Sequence, residues 1–272
     1  MDARPVDNLY WLRVRLDELD EAMARSVAAD TSTVLSNFVV VMSSWTSTRV
    51  IDVGSRSVTV DPAGADQLVS TSRLLERLND DIPEIVRGPL CRDRQQWIGV
   101  TRPKGSDSEA GSHDAPKLTR ELFRAPTGSG TLSHRQPYQV GLYTSTLTSM
   151  GQSTWRLFLE LGSEASLHPR PWSVWRVLPA ADSRIAEVNS AEAWLGFLNE
   201  NGSIVGETVY PDWVSAACKY EGVHFTLSAI VAIQGFTFRL GEWLAAPVYW
   251  DVETTLWLNW TFDSATLEAI VD

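Results

Sequence analysis

The chain has 272 residues, 44% of them hydrophobic and 21% charged, enough apolar material for one large core or two small ones and too much for disorder throughout. Its formal charge of −11 excludes a broad basic face that would neutralise duplex phosphates, so general nucleic-acid binding is not expected, although a single arginine can hold a small nucleotide. Cys91 and Cys218 are the only cysteines, too few for a disulfide framework or a four-thiolate zinc site, and they fit a reducing cytoplasm.

The N-terminal stretch MDARPVDNLYWLRVRLDELDEAM mixes acids, bases and apolar residues, unlike the order of a secretory signal. From Val6 to Ala29, Leu9, Leu12, Leu16, Leu19, Met23 and Val27 recur at threes and fours, which predicts an amphipathic helix. FVVVM at 38–42 is too short to span a bilayer, so no membrane association is expected. The β-branched stretches SNFVVVMSSW and TRVIDVGSRSVTVDP, broken by Gly54, predict strands in a hairpin, and GADQLVSTSRLLERLND predicts a second helix.

Residues 101–117 lack Val, Leu, Ile and aromatic residues and are crowded with Ser, Gly, Asp and Pro, a composition that reads as a linker or long loop. The expected organisation is therefore a mixed α/β domain over 1–100 without an interpretable motif, a linker over 101–117, and a second domain over 118–272. Nine of the 12 Trp follow the linker; large aromatics ordinarily supply core volume, and some could line a cleft.

In the second half, GQSTWRLFLELG predicts a helix and SVWRVLPA a strand. NSAEAWLGFLNENG predicts a helix with Ser190 as N-cap, Glu192 in the first turn and Gly202 past its end. PDWVSAACKYEG predicts a short helix, and VHFTLSAIV, FTFRL and WDVETTLWLNWTF predict strands. The irregular order of elements favours an α+β fold over a doubly wound parallel sheet.

Alternation sorts the polar residues of these strands. In LFRAP, Arg124 emerges opposite Phe123, and its planar fork suits phosphate oxygens. In GLYTST, Tyr143 and Ser145 share one face, while Thr144 and Thr146 share the other. In WDVETTLWLNWTF, Glu253 and Trp257 fall on the face opposite Val252, Thr254 and Leu256, either on an ordinary half-wet strand or in a cleft. His224 alternates with Phe225 and is a proton donor or a wall residue, or satisfied structure. No P-loop, His-Glu-x-x-His, Gly-x-Ser-x-Gly or Gly-x-Gly-x-x-Gly signature is present, which disfavours a zinc hydrolase, a serine hydrolase and a Rossmann oxidoreductase.

An arginine on an early strand, an aromatic-Thr-Ser-Thr strand about twenty residues on, a helix, and a late strand with a glutamate together resemble the ADP-ribosyltransferase fold over about residues 118–272. That superfamily includes an Arg-Ser-Glu class and NAD-degrading RES-domain toxins. The resemblance implies an α+β domain with a mixed or antiparallel split sheet, NAD as substrate, and no metal. It places Arg124 on the dinucleotide, Thr144, Ser145 and Thr146 around the nicotinamide ribose, and Glu253 as the carboxylate that stabilises the oxocarbenium-like ribose. Tyr143 or Trp257 would stack on nicotinamide, His224 would line the pocket, and Glu160 is a rival for the acid. The sequence has Thr-Ser-Thr rather than Ser-Thr-Ser, and Asp251 two residues before Glu253; the second departure bears on transfer to an arginine acceptor more than on NAD cleavage. A macromolecular acceptor of ADP-ribose or a neutralising partner protein would accompany such an enzyme. The alternative is a non-catalytic module binding protein or ligand through a Trp-rich cleft.

Overall fold

A computed structural model describes residues 30–43, 49–52, 57–59, 71, 74–100, 115–127, 140–161, 168–240, 242–246, 248 and 250–272. The helical pattern before Asp30, the turn at Gly54 and the greater part of 101–117 lie outside the described residues.

The described chain is α+β. Its helices are α1 (Thr31–Ser43), α2 (Pro83–Val86), α3 (Thr154–Leu161), α4 (Ala191–Asn201), α5 (Trp213–Lys219) and α6 (Leu227–Ile233), with a further helical stretch at 74–81. A seven-stranded sheet has the order β13-β5-β3-β4-β12-β9-β6, formed by β13 (Phe262–Val271), β5 (Trp172–Pro179), β3 (Gln95–Gly99), β4 (Leu142–Thr146), β12 (Thr254–Trp257), β9 (Gly222–Phe225) and β6 (Ile185–Val188). All of its pairings are antiparallel except that of β6 with β9. A second, six-stranded sheet has the order β2-β1-β10-β11-β8-β7, from β1 (Arg49–Asp52), β2 (Ser57–Thr59), β7 (Gly202–Val205), β8 (Thr208–Pro211), β10 (Phe236–Leu240) and β11 (Trp243–Ala245).

Two local expectations are met for the reasons that suggested them. The Ser190 hydroxyl accepts from the Ala193 amide at the start of α4, and the expected hairpin is the antiparallel pair β1 and β2. The structure adds a cap that was not expected, the Asp212 carboxylate accepting from Val214 and Ser215 at the start of the expected short helix α5; each cap relieves an amide that a helix start leaves without a partner.

Three expected strands are corrected. SNFVVVMSSW contributes to helix α1, which opens on Asp30, whose carboxylate accepts from the Thr33 amide at 3.1 Å. Val34, Leu35, Phe38, Val39 and Met42 are fully buried at the helical spacing of one, three or four, so the Val run serves a helix face that packs on the core. VHFTLSAIV ends as a strand at Phe225; Thr226 then caps α6, its hydroxyl accepting from Ala229. Every residue of α6 is buried, and an apolar run with no wet face carries no period to separate helix from strand. WDVETTLWLNWTF is two strands. The chain turns at Asp251, which has φ 57°, forms β12 in the sheet interior, and is held at Asn259 by side-chain donation to the Ala217 carbonyl at 2.8 Å before β13 starts at the sheet edge.

The division into domains at 101–117 is also corrected. β1, from the front of the chain, pairs in parallel with β10, and β3 lies between β4 and β5 in the middle of the seven-stranded sheet. One core cluster joins Leu35, Phe38 and Leu78 to Phe225, Ile230 and Phe238. A segment poor in apolar residues breaks the sequence there without breaking the core, because sheet pairing and burial connect residues irrespective of what joins them.

Candidate functional site: a buried carboxylate cluster

β4 runs antiparallel to β12, with Thr144 opposite Thr255, so the residues just before β12 meet the end of β4. Glu253 occupies that junction. Its Oε2 accepts from the Ser145 hydroxyl at 2.8 Å and from the Thr146 amide at 3.0 Å. Its Oε1 accepts from the Thr146 hydroxyl at 2.8 Å and faces His224 Nε2 at 3.2 Å. Thr154, at the start of α3, donates to the Glu253 carbonyl at 3.0 Å and lies 2.8 Å from the Ser145 hydroxyl.

His224, on β9, is bracketed on its other side by Glu187 of β6, with Nδ1 to Oε2 at 2.7 Å; parallel register sets Glu187 opposite His224. Glu187 Oε1 also accepts from the Leu90 amide at 3.1 Å. Carboxylate oxygens only accept, so an imidazole between two of them satisfies both by carrying a proton on each nitrogen. Burial by itself disfavours the charged ring, but the hydrogen bonds to Glu187 and Glu253 outweigh it and raise the His224 pKa to about 9. Glu187 is held below the usual carboxylate range: partial burial opposes this, and His224, the Leu90 amide and the nearby Arg92 overcome it.

A second chain of donors ends on the same carboxylate. The Trp257 indole donates to Thr144 at 2.8 Å, Thr144 to Gln95 Oε1 at 2.5 Å, and Gln95 Nε2 to Thr146 at 2.9 Å. Thr146 then donates to Glu253. Each donor and acceptor is used once along this path, which gives it a single direction.

Six of the eight residues expected at the site thus join one hydrogen-bonded network: Thr144, Ser145, Thr146, His224, Glu253 and Trp257. They form an interior rather than a cleft. Glu253, Ser145, His224 and Trp257 are fully buried, and Thr144 and Thr146 nearly so. Trp257 meets Phe262 edge to face at 5.0 Å, so its ring is core, not the wall of an open pocket. Tyr143 is half buried with its ring 6.1 Å from Trp250.

Arg124 does not join them. It follows the short turn Arg120–Leu122 in an extended segment outside both sheets, its side chain is exposed, and its carbonyl accepts from Gly141 at 2.6 Å. LFRAP has the alternation of a strand but no partner strand among the described residues, so none of their sheet faces fixes the guanidinium. Glu160 is paired with Arg156 at 3.0 Å on the outer side of α3 and is not part of the network.

Sequence reasoning missed Glu187, Gln95 and Thr154. The two glutamines of QQWIG, polar in the middle of a strand, were the available signal for Gln95. Nothing local marks Glu187, whose role depends on a parallel neighbour strand. Nor do Trp194, Trp213 and Trp250 line a cleft: they pack with Phe197 and Phe225 in the core. A cavity of about 410 Å³ lies elsewhere, lined by Pro116, Lys117, Trp175, Leu267 and Ile270 among others. Among the described residues no group of three or more His, Cys, Asp or Glu side chains is placed to hold a metal ion, and no helix is long and apolar enough to cross a membrane. No protein-family model, curated protein or solved structure matches the chain.

Proposed function

We propose that the protein is an NAD-consuming enzyme that cleaves the nicotinamide–ribose bond, as an ADP-ribosyltransferase or a toxin-type NAD glycohydrolase of the cytoplasm. The observation that carries this is the 2.8 Å hydrogen bond from Ser145 to Glu253: the serine of the Thr-Ser-Thr strand and the late glutamate, residues that the ADP-ribosyltransferase resemblance assigns to one site, are in contact. The largely antiparallel sheet that holds Ser145 and is entered just after Glu253 is consistent with the split-sheet arrangement of that fold.

In this mechanism the glycosidic bond breaks with its electron pair leaving on the nicotinamide nitrogen. Glu253 stabilises the positive charge that develops on the ribose, and Ser145 and Thr146 hold the carboxylate in place. Water, or a macromolecular acceptor, then supplies the new bond to the ribose carbon. Since Glu253 has no exposed surface, NAD reaches it only after the cluster opens. The exposed Arg124 meets the dinucleotide only if that opening brings the two together.

The test is free nicotinamide after incubation with NAD. Wild type is expected to release it, and Glu253→Gln to lower the rate about a hundredfold while Glu160→Gln leaves it unchanged. No release at any enzyme concentration refutes the proposal.

Binding without catalysis is favoured by a separate observation, the cavity beside β13, where Leu267 and Ile270 are 46% and 47% exposed. A folded protein inactive on NAD whose Trp175 fluorescence responds to a ligand would place the function there.

A further inference from the structure

We propose that Glu187 and His224 form a positioning arm for Glu253, and that Glu187 is the member through which solvent acts on the buried carboxylate. The proposal rests on the NAD-cleaving function only for its kinetic consequence; the arm itself stands on the contacts below.

The three side chains are collinear in connectivity and graded in exposure: the Glu187 side chain is 32% exposed, whereas those of His224 and Glu253 are 0%. A buried cation between two carboxylates fixes both in orientation, because either one leaving would strand the imidazolium without an acceptor. The groups facing the arm are few. Glu187 receives the Leu90 amide and the field of Arg92; Glu253 receives Ser145, Thr146, His224 and, at 3.4 Å, the Thr154 hydroxyl; His224 meets the two carboxylates. A Cβ on Gly88 would stand 3.3 Å from His224 Cε1 and 3.2 Å from the Thr226 methyl, so the backbone at Gly88 closes the ring in from the side. The ring therefore cannot swing away from the two acids without moving the segment that also supplies the Leu90 amide. Nothing in this role requires His224 or Glu187 to touch substrate.

The decisive measurement is the protonation state of the His224 ring, read from its nitrogen chemical shifts by NMR across pH in wild type, Glu187→Gln and Glu187→Asp. Wild type is expected to keep both ring nitrogens protonated through neutral pH. In Glu187→Gln the ring should lose its second proton about one pH unit or more lower, and Glu187→Asp should restore most of the difference. A neutral ring in wild type at pH 7, or an unchanged titration in Glu187→Gln, overturns the arm, and the wild-type spectrum decides even if the variant does not fold. If wild type releases nicotinamide, Glu187→Gln should lower kcat with KM little changed and move the alkaline limb of the pH profile by the same interval; a uniform loss with an unmoved profile overturns the positioning role. If wild type releases none, the NAD function fails while the ring titration still decides the arm.

Discussion

Ser145 and Glu253 stand 108 positions apart in the sequence and 2.8 Å apart in the fold, hydroxyl to carboxylate, with neither exposed to solvent. The contact makes Glu253 the acceptor on which two strands, a helix start and an imidazole converge. Glu253→Ala should therefore be costly apart from any catalysis. Removing one partner of a buried ion pair strands the other, and a loss of about 3 to 5 kcal/mol is expected in urea unfolding; a loss of less than about 1 kcal/mol would mean that the cluster relaxes readily.

Stability should fall on the alkaline side. A histidine whose folded pKa is about 9, against about 6.5 unfolded, contributes stability that is full below pH 6.5 and lost as pH rises through 9. Linkage puts that contribution at about 3 kcal/mol. The urea midpoint of wild type should decline over this window, and His224→Gln should start lower and lack this component. Glu187 acts with the opposite sign: its depressed pKa gives stability that is present above the ordinary carboxylate range and lost as pH falls.

Trp257→Phe keeps an aromatic ring in a fully buried place and removes the indole N–H that donates to Thr144 at 2.8 Å. The first donor of the directed path disappears and a smaller ring leaves a void, so about 2 kcal/mol should be lost. Tyr143→Phe is the comparison: Tyr143 lies on β4 beside Thr144 but outside that path and is only half buried, so the change should cost less.

Gly141→Ala tests how tightly β4 enters the sheet. Gly141 has φ +71°, a conformation that L side chains rarely adopt, and a Cβ there would fall well inside contact distance of the Trp257 carbonyl oxygen and 2.7 Å from the Leu256 side chain. About 2 kcal/mol or more should be lost, seen as a drop in Tm, whereas Gly151→Ala, with a similar φ and nothing within 4 Å, should lose less.

Cutting the chain at a protease site introduced between Val100 and Ala115 should leave two pieces that elute together. β3 supplies both neighbours of its sheet position with hydrogen bonds, and the front helices share the core with α6. Residues 118–272 expressed alone should lack a cooperative unfolding transition. A stable, separable C-terminal fragment would restore a two-domain description.

The α+β class, the helix capped by Ser190 and the polar character of β4 were legible in the sequence. Ser190 and the periodic apolar face behind it act within a few residues, so the helix they specify is readable without knowing its neighbours. The polar strand residues Thr144, Ser145 and Thr146 were legible because a strand built only for packing does not need them, and Glu253, which the structure sets just before β12 rather than within it, was legible as an acid in an apolar run. Tertiary structure alone decided that these residues are enclosed rather than set in a cleft, since alternation says which side chains share a face and not what lies over it. It also made the Val run at 39–41 part of a helix, left Arg124 exposed outside both described sheets, and brought in Glu187, whose place opposite His224 is set by the parallel register of β6 and β9. A long-range pairing of that kind leaves no local trace in the chain, because its energy appears only when the two strands and their buried charges meet.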